Sequence, residues 1–210
     1  ALGEIARVAG AKKLVATHFG SFDTTNPVVR KIMGVHMPID IIGPELLDEV
    51  VAAVTEVLPA GRVGVRLSPM GGPGGSSDAK PEDTYPAAAA KLAGRGLAYL
   101  HVVRPNGHTG SGGSDEGNAI VKDMRKRFDG VFVANGEFST EEAAQWVADG
   151  HADAIAFGRL FIANPDLPAR IAAGGPYEEA NEDTFYGGGA EGYVDYPTLD
   201  RVTDPLPVPA

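Results

Sequence analysis

Two short words in the second half of the chain, Asn135-Gly136 and Gly158-Arg159, combine residue types suited to holding an anion. Glycine lets a bound group come close to the backbone, and arginine offers a planar fork of donors that matches phosphate. Each word closes a short apolar run, Gly130 to Asn135 in one case and Ala154 to Phe157 in the other, as a strand ending in a tight corner does. Each also leads toward a helix. Ser139 and Glu142 have the spacing of a capping box, and Asn164-Pro165-Asp166 carries a helix start signal. Successive strand–corner–helix units imply parallel strands with neighbouring tips, a common seat for phosphate. A turn glycine beside a solvated arginine needs no ligand, so it is the repetition that argues for one.

Other chemistry-bearing residues are scattered. Arg66 lies near the end of an apolar run, where a pocket charge and a surface ion pair are both open readings. Phe185 and Tyr186 precede the glycine run Gly187-Gly188-Gly189, and His18 ends the run Lys13 to His18. His101 sits inside an apolar strand, while His36, His108 and His151 have no ligand spacing with one another or with carboxylates, so no metal site is expected. Walker-type and GxGxxG words are absent, and the chain has no cysteine, so redox chemistry here needs a cofactor.

The elements that must position these residues follow a strand–helix rhythm of roughly thirty to forty residues. Helical stripes are expected over Ala1 to Gly10, Glu45 to Leu58, Thr84 to Gly94, Asn118 to Phe128 and Glu141 to Gly150. Strands are expected over Lys13 to His18, Arg62 to Leu67, Leu97 to Val103, and before the two corners. In Arg62 to Leu67 the apolar positions Val63, Val65 and Leu67 alternate, which puts Gly64 and Arg66 on the other side. Phe22 to Pro44 shows no sustained period and receives no assignment. The glycine-rich stretches Met70 to Ser77 and Asn106 to Gly117 read as long loops on the rim of a site. That makes about five βα units, in an α/β class with a parallel sheet.

The 210 residues, 43% of them hydrophobic, suffice for one domain with a substantial core, expected over 1–199, with 200–210 as a proline-rich tail. A formal charge of −10 argues against nucleic acid or an anionic membrane as partner. With no run of eighteen apolar residues and no leader pattern, a cytoplasmic protein is expected.

Five words in order resemble the C-terminal part of the Old Yellow Enzyme family. They are Arg62 to Pro69, Gly96 to Val102, Ala134-Asn135-Gly136, Phe157 to Leu167, and Phe185 to Pro197. The resemblance implies a (β/α)8 barrel of the TIM type, here lacking its first three βα units. It also implies FMN as cofactor, NAD(P)H as reductant and a small activated alkene as substrate. Asn135, Gly136, Gly158 and Arg159 would then hold the FMN phosphate, and Arg66 would face the flavin N1 and O2 edge. Phe185 and Tyr186 would border flavin and substrate. His18 would be one of two donors to the substrate carbonyl, although Ser21 stands where the second donor belongs and Asp23 where a proton-delivering tyrosine belongs.

Two rival readings use the same corners. One is a non-catalytic or incomplete half-barrel that binds phosphate or FMN and requires a complementing chain or a homo-oligomer. The other is a barrel that handles phosphosugars and ignores FMN.

Overall fold

The computed structural model describes residues 43–70, 78–105, 114–186 and 189–200. His18, the expected first helix and strand, and the tail beyond Asp200 lie outside these residues. The described chain runs α1 (Pro44–Thr55), β1 (Gly64–Leu67), α2 (Pro81–Leu92), β2 (Tyr99–Val103), α3 (Asp115–Arg127), β3 (Phe132–Asn135), α4 (Thr140–Ala148), β4 (Ala154–Ala156), α5 (Arg159–Ala163) and α6 (Leu167–Ala173). It forms two compact units divided near Ile155, with 138–140 grouped with the second.

In the first unit the four strands form one sheet in the order β1-β2-β3-β4. β1 with β2 and β2 with β3 pair in parallel, with Arg66 opposite His101 and His101 opposite Val133. Parallel neighbours need a crossover, and α2, α3 and α4 supply one between each successive pair of strands. This is the strand-and-helix repeat of a (β/α) barrel, present in part.

Alternation sorts the side chains. Leu67, Leu100, Val102, Phe132 and Ala134 are buried on one side of the sheet, and the stripe Ile120, Val121, Met124 and Phe128 expected for α3 is buried as well. Each large apolar group so enclosed contributes about 1.5–3 kcal/mol. The other side carries Arg66, His101, Val133 and Asn135.

Local chemistry moves several boundaries from their sequence positions. β1 begins at Gly64 rather than Arg62, because Ala60–Arg62 forms a 3-10 turn closed by Arg62 N–H on Pro59 C=O. α2 starts at Pro81, not Thr84, with proline in its first turn and Glu82 and Asp83 complementing the helix dipole. α3 starts at Asp115, not Asn118, because Ser114 Oγ accepts the Gly117 N–H at 3.2 Å. Along α1 only Val51 of the expected stripe is fully buried, and Leu58 lies beyond the helix, 45% exposed.

The second unit is held by two polar staples. Arg170 is wholly buried and donates through Nε to Asp166 Oδ1 (2.7 Å), Nη1 to Pro176 C=O (2.7 Å) and Nη2 to Pro197 C=O (2.6 Å). Buried Asn164 exchanges bonds with the Glu178 backbone, donating to its C=O at 3.0 Å and accepting from its N–H at 2.9 Å. The segment that carries Phe185 and Tyr186 is thereby tied at 176, 178 and 197.

Candidate functional site

Arg66 projects from the side of β1 opposite the helices, as its alternation with Val65 and Leu67 requires. Its Nη2 donates to Asn135 Oδ1 at 3.4 Å, so the sheet brings together two of the residues singled out from sequence. Among the described residues Arg66 has no carboxylate partner. Its side chain keeps contact with solvent, yet the protein packed around the guanidinium lowers its pKa from the ordinary arginine value. An arginine so placed stays protonated wherever the fold survives. It is a fixed positive charge held beside an amide oxygen.

The corner after β3 has an unusual backbone. Gly136 adopts φ 126° and Glu137 φ 52°, two successive left-handed residues, the first possible only because glycine has no Cβ. The residue that holds this corner is Arg104, directly after β2, which sequence reasoning passed over. Its backbone N–H donates to Asn135 C=O at 2.8 Å, its Nε to Gly136 C=O at 2.6 Å and its Nη2 to Glu137 C=O at 3.1 Å. Its fork also pairs with Glu142 of α4, Nη1 to Oε1 and Nη2 to Oε2 at 2.7 Å, and the guanidinium lies 5.6 Å from the centre of the Trp146 ring. One signal for it was present: a cation closing the buried strand Leu100 to Val103 needs a partner, and Glu142 stands at the start of the helix three elements on.

The corner after β4 belongs to the second unit. Gly158 is the N-terminal cap of α5, so the expected Gly-Arg turn is the first turn of a five-residue helix that begins at Arg159. A Cβ built on Gly158 would meet no atom within 4 Å, which leaves open space beside the backbone there. Asp166 caps α6, at the helix start expected from Asn164-Pro165-Asp166. Phe185 and Tyr186 follow a 3-10 turn over Glu182–Thr184, with their rings edge to face at 6.4 Å, and Tyr186 is 92% exposed. His18 lies outside the described residues.

These features fit a phosphorylated, partly anionic group. Gly136 is buried, and its N–H has no hydrogen-bond partner among the described residues, a costly state that a phosphate oxygen relieves. Arg66 adds a positive charge that has no carboxylate partner among the described residues. Among the described residues no helix is long and apolar enough to cross a membrane.

Residues 45–178 match the NADH:flavin oxidoreductase / NADH oxidase family, and the chain belongs to this family of FMN oxidoreductases. It is 37% identical over 153 residues to 12-oxophytodienoate reductase 2 of Arabidopsis thaliana, covering 72% of this chain and 41% of that protein. Among solved structures it resembles the old yellow enzyme of Trypanosoma cruzi, with a TM-score of 0.65 at 36% identity over 74% of this chain and 40% of that one. Morphinone reductase in complex with tetrahydroNAD gives a TM-score of 0.64 at 41% identity over 77% of this chain and 42% of that one. The chain thus spans about two fifths of the length of the relatives it matches, and its fold is a partial barrel of the same kind.

Proposed function

We propose that this chain forms the flavin-holding part of an ene reductase of Old Yellow Enzyme type, which reduces activated alkenes such as enones with NAD(P)H. The chemistry a bound FMN supplies is hydride transfer, from the nicotinamide and on to the alkene carbon β to a carbonyl. Asn135, Gly136, Gly158 and Arg159 hold its phosphate. Arg66 stands at the N1 and O2 edge, where a fixed cation favours the more negative reduced form. Phe185 and Tyr186 border flavin and substrate. His18 donates a hydrogen bond to the substrate carbonyl oxygen, stabilising the enolate charge that develops as hydride arrives. Residues 1–199 act as one domain with 200–210 as a tail, and the cytoplasm, with its nicotinamide pool, is the place of work.

The observation that carries this reading is the buried Gly136 N–H at a left-handed corner, beside the sheet that carries the Arg66 cation, the first without a hydrogen-bond partner and the second without a carboxylate among the described residues. A second reading keeps the phosphate corners and removes turnover. In it the chain is a half-barrel that binds FMN only with a complementing chain or a second copy, and the two-fifths coverage of its relatives favours it. The visible spectrum of the purified full natural chain separates the two. Stoichiometric flavin, bleached by NADPH without oxygen and restored by a cyclic enone, supports the reductase. A colourless protein that gains flavin only with a second chain supports the half-barrel, and one that never takes FMN refutes both.

A further inference from the structure

We propose that Asn135 is a positioning residue whose side-chain amide aims Arg66 at the C-terminal end of the sheet without neutralising it, an inference that rests on the flavin reading above. The register fixes the geometry. Arg66 on β1 lies opposite His101, and His101 opposite Val133, so β2 stands between Arg66 and β3. Strands in a sheet are about 4.8 Å apart, which puts the backbones of β1 and β3 roughly 9.5 Å from each other. Asn135 is two residues beyond Val133, on the same side of β3 and at its C-terminal end. Arg66 Nη2 nevertheless reaches Asn135 Oδ1, at 3.4 Å. The arginine side chain therefore runs across β2 and toward the C-terminal ends of the strands, where parallel α/β folds keep their ligands.

Asn135 is itself fixed. Its C=O accepts the Arg104 N–H at 2.8 Å, and it closes the pairing of β3 with β2 opposite Val103. Arg66 is exposed to water and long enough to take many directions, so an acceptor on a fixed strand end selects one before any ligand arrives. The residue type matters as much as the place. A carboxylate here would grip the guanidinium more strongly and cancel much of its field, whereas an amide oxygen directs it and carries no charge. The bond is also long, so little is lost when the guanidinium turns its donors to a ring edge. Asn135 acts on the flavin edge through Arg66, by direction alone.

The test is the midpoint potential of FMN bound to the full natural protein, measured by spectroelectrochemistry. Wild type, Asn135→Leu, Asn135→Ala, Arg66→Met and the double variant Asn135→Leu with Arg66→Met are compared, with thermal unfolding and FMN titration checking that each is folded and loaded. Leucine keeps the branched shape of asparagine and removes the acceptor, and alanine serves if the leucine variant does not fold. Arg66→Met is expected to lower the preference for reduced over oxidised flavin about tenfold. Asn135→Leu and Asn135→Ala lower it in the same direction by about threefold, since the charge remains but is no longer aimed. The double variant matches Arg66→Met alone, because without the arginine the amide has nothing to direct.

Folded Asn135 variants that keep the wild-type potential overturn the inference and leave the flavin reading intact. So does an unchanged potential in Arg66→Met, or a double variant in which the two shifts simply add, since Asn135 then acts by a route of its own. Asn135 variants that fold but cannot be loaded also overturn it, because the side chain is then needed for binding rather than for aim. A wild type that never takes FMN removes the reading itself, and this inference with it.

Discussion

Arg170→Met tests how the aromatic segment is held. The wild-type guanidinium is fully buried and makes three bonds of 2.6–2.7 Å, two of them to the backbone carbonyls of Pro176 and Pro197. Methionine fills much of the volume but donates nothing, so two carbonyls lose their donors at about 1–3 kcal/mol each. Asp166, which stays in contact with water, is rehydrated and adds little. The expected loss is about 3–5 kcal/mol, the range seen when one partner of a buried ionic cluster is removed. Urea unfolding followed by far-UV circular dichroism measures it, and limited proteolysis should show new cleavage between 174 and 199. A loss below about 1 kcal/mol with unchanged proteolysis refutes the reasoning.

The same clasp gives a pH dependence of fixed sign. Leu199 N–H on Asp166 Oδ2, then Arg170 on Oδ1, lower the Asp166 pKa below the usual carboxylate value. A carboxylate depressed in the folded state stabilises fully above its unfolded pKa of about 3.9, and that contribution disappears as pH falls through the lower folded value. Asp166→Asn should therefore be less stable than wild type at neutral pH, with the difference shrinking in acid. A gap that stays constant from pH 6 down to pH 3 contradicts the assignment.

The remaining predictions concern the anion site and the second staple. Gly158→Asp should fold with a melting temperature close to wild type, because its Cβ meets open space at φ −97°, while FMN affinity falls at least tenfold by charge repulsion. Equal loss of riboflavin binding would count against a phosphate seat there. Arg66→Met should leave apoprotein stability within about 1 kcal/mol, since its one bond is a 3.4 Å contact to an amide. It should make bound flavin harder to reduce by a shift on the order of 30 mV in spectroelectrochemistry, where 30 mV is about 1.4 kcal/mol for two electrons. Asn164→Ala removes both partners of the half-buried Glu178 N–H and C=O and should cost about 1–3 kcal/mol in denaturant unfolding.

What the sequence made legible follows from local periodicity. The alternation of Val65 and Leu67 with Arg66, and the stripe from Ile120 to Phe128, report burial directly, because each side chain's side follows from its place in a repeat. The corners were legible because glycine beside asparagine or arginine recurs at the ends of two successive apolar runs. Arg104 was not, because its side chain's partners lie 32 to 38 residues away, and Arg170 was legible only in its i,i+4 pairing with Asp166, the bond to Pro197 27 residues on being one that no local pattern encodes. Helix starts moved by three residues where a proline or a serine cap outside the apolar stripe set the first turn. The short helix at Arg159–Ala163 escaped notice because five residues are too few to show a period.

Three arginines in this fold show how one side chain type divides between architecture and chemistry. Arg170 and Arg104 are 0% and 6% exposed, and each meets a carboxylate and at least two carbonyls, so their charges are answered inside the protein and their forks are fully directed. Burying them without those partners would be prohibitive, which makes them fixed points for the segments they hold. Arg66 is different in each respect: exposed to water, offered an amide oxygen and no carboxylate among the described residues, and carried on a strand that needs no cation for its own pairing. A folded chain gains little from such a placement. In the flavin reading proposed above, its positive charge meets an electron-rich ring edge, and the gain grows as that ring takes up negative charge on reduction. The arginines that secure the backbone and the one proposed to meet the cofactor are therefore distinguished by what already answers their charge among the described residues.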